Sequence, residues 1–589
     1  MKKNAWAAVT LLCCAVGFYL RWLNAHTELG LPSVDENDVV QQGVAFMGGE
    51  WRYYLLEYGA LPMYVLAALY RVVAVLHGLT ALEYASRIFY DGEEQYLLGR
   101  LFCAACYLPL SIASYRFLGP RFGRSAGLVS ACLLALPCLD TLTKATVRID
   151  VVQGACQLGA LLFLARALES KQVRNWLWAG VFAGLGMACK PLPGALLGPC
   201  FWAASWFAAE IDAPVAGPRL GAAALLGGLR SFALRLWRSV SRPALWASGV
   251  TALVVAGLAN PTALDLRTFI QGQIKATNYY SGPNAPGAHL TAFQPLATLA
   301  EPLQIAMPVC VLLMPFVRDT RARLIALFPL LYATAFAGRP VRTYYMVAPA
   351  MALCLSIGIV VGLVLCRLGL DARAPERGSS GVPIGSAPVP TWPAFSLGCA
   401  VSLALVALLS WYPVNGMDGL RRTTTPPTLA RAWIHEHIPS GTRLFHYGTF
   451  AGGPRLVSSS WQQESKWADF FDYGRENYEF YQTAFRKAYD DYRSQGRPYY
   501  DIDSYLAAPD SVKSGKTRGW LARSLARRAA KEGREYIILG SYRGEHYQDL
   551  GYSWIDEVEL AQEFGRIAIF RVPQPPPAAS EPSAAGNGG

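Results

Sequence analysis

Long apolar runs separated by short polar ones recur from Ala5 to Tyr412, and beyond Tyr412 the pattern stops. Each run approaches the ~20 residues a helix needs to cross a bilayer core. The spacing predicts helices over 5–22, 97–117, 125–139, 151–168, 175–189, 191–208, 243–260, 302–317, 323–338, 344–366 and 393–412, about 11 spans within a range of 10–13. One further apolar stretch, 61–79, is interrupted by Arg71. Counting it as a span would reverse the side assigned to every later loop, so it reads as a juxtamembrane or re-entrant helix on the outer side.

Charge then orients the spans. With the N-terminus in the cytoplasm, alternation places five basic connections there, as the positive-inside rule requires. They carry Arg116, Arg121 and Arg124; Arg166, Lys171 and Arg174; Arg230, Arg235, Arg238 and Arg242; Arg318, Arg321 and Arg323; and Arg367, Arg373 and Arg377. The net charge of +12 is explained by these loops and does not call for nucleic acid. Only 16% of residues are charged, against roughly 25% in a soluble domain. The apolar N-terminal run lacks a small-residue cleavage site and reads as a retained anchor. All 13 cysteines lie between Cys13 and Cys399, scattered in apolar segments, with neither a disulfide framework nor a zinc spacing. Cys103 and Cys106 form a CxxC that reads as helix packing.

The chain divides into a transmembrane domain (1–412, with a first outer loop over 24–96), an extracytoplasmic α/β domain (413–574) and a low-complexity tail (575–589) expected to be disordered. In the second domain, "PTLARAWIHEHIPSGTRLFHYG" predicts helix, turn and strand, "RGWLARSLARRAAKEGREYIILGS" a helix and strand, and "GRIAIFRV" a final strand.

The same topology collects unusual polar residues at the outer helix ends: Asp35 and Glu36; Lys144, Arg148 and Asp150; Lys190; His289; and Arg339, Arg342, Tyr344 and Tyr345. Ionisable groups at membrane depth are costly, so their convergence from separate loops marks a functional site. Cations such as Lys190, Arg339 and Arg342 suit a phosphate leaving group whose charge grows as its bond breaks. A carboxylate suits removal of a proton from an attacking hydroxyl. Each residue also has a structural alternative. Ser33 and Glu36 have capping-box spacing; Arg148 and Asp150 pair with each other; Lys190 snorkels to the interface; Arg339 and Arg342 are flanking residues. Asp38 reads as solvated surface.

Several stretches in this order resemble the GT-C membrane glycosyltransferases, especially the protein O-mannosyltransferase and lipid A aminoarabinose transferase branch. "VDENDVVQQGVAFMGGEW" is similar to that branch's first outer loop, "LEYGALPMYVLAALYRV" to the helix after it, and "RIDVVQGACQLGALLFLARALE" to its Arg-x-Asp helix head. "AGVFAGLGMACKPLPG" and "GRPVRTYYMVAPAMAL" resemble two later segments. The resemblance spans about 5–412. It implies a GT-C fold, a polyprenyl-phosphate sugar donor and transfer with inversion. Asp35 would be the base and Glu36 would orient it or the acceptor. Lys190, Arg339 and Arg342 would contact the lipid phosphate, with Tyr345 and His289 as further substrate contacts, and Arg148 and Asp150 would line or brace the cavity. The acceptor would be a glycan, a glycolipid or a protein, on the outer face of a bacterial inner membrane. The resemblance implies a lipid-linked sugar donor and assigns no other cofactor, and a divalent metal is left open. No DxD motif lies near Asp35, and no metal ligand is assigned. A polytopic transporter or lipid-linked glycan flippase is the competing reading, because intramembrane charges also mark transport paths.

Overall fold

The computed structural model describes residues 2–26, 34–50, 59–91, 93–136, 147–212, 222–260, 267, 269–274, 308, 311, 316–335, 346–371, 376–377, 383–384, 392–415, 426–447, 454, 456–461, 479–505, 525–540, 557–565 and 567–574. The helices, in chain order, are α1 (Lys2–Ala25), α2 (Val34–Met47), α3 (Leu61–Leu76), α4 (Ala81–Ser86), α5 (Ile88–Asp91), α6 (Glu93–Phe122), α7 (Arg124–Ala135), α8 (Ile149–Ser170), α9 (Val173–Cys189), α10 (Pro191–Ala195), α11 (Gly198–Asp212), α12 (Ala222–Val240), α13 (Pro243–Ala259), α14 (Thr320–Ala335), α15 (Val347–Arg367) and α16 (Trp392–Asn415). Among the described residues five helices are long and apolar enough to cross a membrane, or up to seven if two bent pairs each count as one span. One bent pair is Leu61–Leu76 with Ala81–Tyr90, which turns by 112°. The expected span 302–317 lies almost wholly outside the described residues.

By its internal contacts the chain forms two compact units. One comprises 1–27, 39–73 and 95–421; the other comprises 28–38, 74–94 and 422–589. The helical unit packs through small residues, as helices without a hydrophobic driving force between them must. Gly180 and Gly184 of α9 face Ser248 and Ala252 of α13 so closely that a Cβ on either glycine would meet a backbone oxygen at 2.4 Å. Gly358 and Gly362 of α15 are set in the same way against Ala126, Ser130 and Phe122. Large apolar side chains such as Leu12, Leu253 and Leu258 point outward instead, as expected of a lipid-facing surface.

Ion pairs join one set of helix ends. Arg121 at the end of α6 binds Glu169 at the end of α8 at 2.9 Å, and Arg321 of α14 reaches the same carboxylate at 3.9 Å. Lys171 and Arg242 share Asp212, each at 2.7 Å. These are ends that the charge pattern placed together on one side.

Two expected boundaries change. The helix expected over 125–139 ends at Ala135, and its last carbonyls are taken by Arg21, whose Nε donates to Ala135 O at 3.1 Å and Nη2 to Leu134 O at 3.2 Å. The helix expected over 191–208 is broken after Ala195, where α10 starts at Pro191 and stops within two turns.

In the second unit, α17 (Pro426–His437) precedes β1 (Arg443–Tyr447), α18 (Glu479–Ser494), β2 (Asp501–Tyr505), β3 (Tyr536–Gly540), β4 (Glu559–Phe564) and β5 (Ile567–Arg571). The sheet order is β2-β1-β3-β5-β4, with β1 parallel to both neighbours and β5 antiparallel to β3 and β4. Period-two alternation gives the sheet two buried faces. Leu444, Ile538 and Ile569 pack with Ile434 and Ala430 of α17, while Phe445, Ile537 and Phe570 pack with Leu525 and Ala529 of the helical segment 525–531. The expected helix–strand pairs and final strand appear here. α18, β2 and β4 were not anticipated, because β2 ("DIDSY") and β4 ("ELAQEF") are polar edge strands without an apolar signature.

Candidate functional site

The geometry centres on the turn between α9 and α10. α9 ends in "GLGMAC", and Lys190 closes it in extended backbone (φ −154°, ψ 101°) while also serving as the N-cap of α10, with Pro191 at the first helical position. A lysine before a proline is pushed out of helical backbone, so helix α9 stops here. The Lys190 ammonium is carried inward to Asp150 Oδ1 at 2.7 Å. Both side chains are under 10% exposed. Lys190 therefore does not snorkel to the interface, which removes the structural alternative for this residue.

Asp150 occupies the first turn of α8, where a carboxylate complements the helix dipole. Arg148 is the N-cap of that helix and only half-buried. The ion pair formed by Asp150 is with Lys190. Cys103 of α6 donates its thiol toward Arg148 O at 3.7 Å, and a Cβ on Gly99 would meet Val147 at 2.5 Å, so α6 fixes the entry to α8. Cys103 and Cys106 are both free thiols. The floor of the turn is polar and tightly made: Gln157 Nε2 donates to Pro193 O at 2.7 Å, Gln153 is buried one turn after Asp150, and Tyr332 of α14 meets Gln153 through its hydroxyl.

The first loop reaches the same turn. Gly59 N donates to Cys189 O at 2.8 Å, and a Cβ at Gly59 would lie 1.7 Å from Ala188 O, so only glycine fits. From Gly59 the chain enters α3, on which the second half of α2 packs: Gly43 lies against Leu66 and Tyr70, and Phe46 stacks on Tyr64 at 4.7 Å. Asp35 and Glu36 open α2. Glu36 is fully buried and Asp38 is 7% exposed, so the surface placement expected for Asp38 is corrected. The side chain of Asp35 lies outside the described residues, as do Ser33, Lys144, His289, Arg339, Arg342, Tyr344 and Tyr345.

Sequence reasoning missed two buried cations at neighbouring helix ends. Arg21 closes α7 and stacks 3.8 Å over the Tyr107 ring, and Arg100 donates to Ala25 O, the last residue of α1, at 3.1 Å. Both satisfy the carbonyls that a helix terminus leaves unpaired. Each is a lone arginine within an apolar run, the signal that would have found them. Among the described residues no cluster of three or more His, Cys, Asp or Glu is arranged to hold a metal.

Residues 81–216, which include both Asp150 and Lys190, match the family model for dolichyl-phosphate-mannose-protein mannosyltransferase. None of the curated protein sequences matches the chain significantly. Solved structures similar to it include ArnT from Cupriavidus metallidurans bound to undecaprenyl phosphate (13% identity, TM-score 0.44, covering 98% of this chain and 100% of that one). The oligosaccharyltransferase of Archaeoglobus fulgidus in its apo form matches at 12% identity and TM-score 0.44, over 90% of this chain and 69% of that one. The arabinosyltransferase EmbB of Mycobacterium smegmatis matches at 16% and 0.37, over 70% and 41%. Among the described residues the chain is mostly helical, with five to seven spans long and apolar enough to cross a membrane and a small C-terminal sheet.

Proposed function

We propose that this GT-C-like chain is an inverting glycosyltransferase that moves a sugar from a polyprenyl-phosphate donor to the hydroxyl of a glycan, glycolipid or protein at the outer face of a bacterial inner membrane. The observation that carries this reading is the buried Lys190–Asp150 pair, set at a helix junction inside the segment that matches the mannosyltransferase model. A buried ion pair is expensive and adds little to stability compared with apolar packing. Its presence at such a junction fits a cation held ready for an anion.

In the reaction the acceptor oxygen forms a bond to the anomeric carbon while the bond from that carbon to the phosphate oxygen breaks. The acceptor proton passes to the Asp35 carboxylate, which Glu36 orients. The electron pair leaves with the polyprenyl phosphate, whose growing charge Lys190, Arg339 and Arg342 stabilise. Asp150 holds the Lys190 ammonium in place, Arg148 braces it, and His289 and Tyr345 are assigned as further substrate contacts. The N-terminus lies in the cytoplasm and the α/β unit on the opposite side.

The test is transfer of a radiolabelled sugar from a polyprenyl-phosphate donor by purified enzyme and by Asp35→Asn. Loss of transfer with unaltered thermal unfolding is expected, and undiminished transfer by the variant removes the role given to Asp35. Reconstituted vesicles address the transporter alternative: movement of the lipid-linked sugar without covalent transfer would replace the enzyme reading.

A further inference from the structure

The unit that contains the C-terminal domain holds an open cleft of about 290 Å³ between the α4–α5 segment of the first loop and α18. Both walls are firmly built. Thr80 and Glu83 form a capping box at α4, with Glu83 N donating to Thr80 Oγ1 at 3.2 Å and Thr80 N donating to Glu83 Oε2 at 2.8 Å. Thr80 Oγ1 also donates to Glu83 Oε2 at 2.7 Å, and the two bonds donated by Thr80 N and Oγ1 hold the Glu83 carboxyl below its ordinary range, so it is ionised at the cleft rim. α18 buries one face (Tyr481, Ala484, Phe485, Ala488, Tyr489 and Tyr492) at helical spacing. Phe89 of α5 packs on Tyr481 and Phe485 at 5.1 and 4.8 Å, and Tyr90 packs on Tyr492 at 4.9 Å.

Onto this aromatic base the lining sets a mixed polar rim. Lys487 donates to Asp491 at 2.8 Å, which raises its pKa and keeps it charged. Arg497 lies 4.3 Å over the Tyr492 ring, and Arg87 and Gln495 complete the rim. Three cations face two carboxylates. Such a lining is wrong for a lipid tail, which needs an apolar slot. It is also wrong for a bare phosphate, because both carboxylates would repel a dianion. Sugar rings suit it: their C–H faces stack on the half-buried Tyr90, and their hydroxyls both donate to carboxylates and accept from cations. The one excess positive charge favours a ring bearing an acidic substituent. The volume is near the lower end of ligand clefts, ~300–1,000 Å³, enough for a mono- or disaccharide unit.

We propose that this cleft binds an anionic sugar residue of the acceptor glycan, with its acidic group toward Arg87 and Arg497 and its hydroxyls toward Asp491, Lys487 and Gln495. This rests on the glycosyltransferase reading above. It also gives the α/β unit a role: holding the acceptor.

The full chain in detergent micelles is titrated with digalacturonate, with maltose and with inorganic phosphate, and binding is read by saturation-transfer NMR. Digalacturonate is expected to bind and to be weakened about tenfold by Arg87→Gln and by Arg497→Gln, and about threefold by Gln495→Ala. Arg527→Gln, away from the cleft, is expected to change nothing. Arg87 and Gln495 are exposed, so their variants fold even if Arg497→Gln does not. Equal binding of maltose overturns the anionic preference. Phosphate that competes as strongly as digalacturonate overturns the sugar assignment, and variants that bind like the parent overturn the location. Sugar transfer measured alongside separates the two readings: transfer without cleft binding removes only the cleft, and cleft binding without transfer removes the enzyme assignment.

Discussion

Lys190 and Asp150 in the helical unit meet at 2.7 Å with side chains 6% and 9% exposed, whereas Lys487 and Asp491 in the C-terminal unit meet at 2.8 Å with side chains 36% and 50% exposed. Their lengths are nearly the same, and their energetics are opposite. The exposed pair gains little in water, roughly 0.3–0.5 kcal/mol for an i,i+4 pair. The buried pair has given up two hydration shells, so neither partner tolerates loss of the other, and breaking such a pair costs about 3–5 kcal/mol. Length alone says nothing about which lysine matters; surroundings decide it.

Four measurements break or sharpen that contrast. The largest effect is expected from Asp35→Asn, with transfer lower by roughly 10²–10⁴-fold, the usual worth of a general base, and thermal unfolding unchanged. Next, Lys190→Ala is expected to destabilise the helical unit by about 3–5 kcal/mol by stranding Asp150. The double change Lys190→Met with Asp150→Leu is expected to restore most of that stability without restoring transfer. Full transfer by the double variant would make the pair purely structural.

The third measurement belongs to the C-terminal unit. His446 on β1 is buried, and burial lowers its pKa from 6.5 to about 4. Because the folded state holds the neutral ring, stability is complete above pH 6.5 and is lost as the pH falls toward 4. The loss is about 3 kcal/mol at ~1.4 kcal/mol per pH unit. Hydrogen exchange of β1 amides between pH 7 and 4 reads this loss directly, and His446→Phe should reduce it. His435, lowered to about 4 chiefly by burial with Arg431 and Arg497 adding to it, shifts in the same direction. A flat profile in the parent protein would show that His446 takes up its proton equally in the folded and unfolded states, so that burial does not lower its pKa. The smallest effect is Lys487→Ala, expected to change stability by less than about 0.5 kcal/mol in denaturant unfolding; a loss as large as that of Lys190→Ala would erase the distinction drawn here.

Apolar runs near twenty residues long carried most of the helical unit in plain view, because a bilayer demands that length of any helix that crosses it. α6, α8, α9 and α15 lie within a few residues of their expected limits. Ends were harder. α7 stops where Arg21, more than a hundred residues earlier in the chain, takes its carbonyls, and no local signal announces a capping partner so distant. Asp38 was misjudged for the same reason: an acid in the opening turn of a helix looks solvated until the neighbours that cover it are known. In the C-terminal unit the central strands were legible from β-branched runs such as "YIILG", while the edge strands were not, since an edge half open to water needs no apolar pattern.

Residue type and order by themselves determined that the chain is a multi-span helical protein with an appended α/β region, that charged residues gather at particular helix ends, and that Lys190 stands at a helix stop. Hydrophobic length, charge sign and the backbone preference before proline act locally, so they can be read locally. Only the tertiary structure decided that Lys190 turns inward to Asp150 rather than outward to an interface, that Gly59 of the first loop closes on the same turn, and that segment 74–94 belongs to the unit containing the C-terminal sheet. Those outcomes depend on which surfaces exclude water together, a property of contacts between residues far apart in the chain.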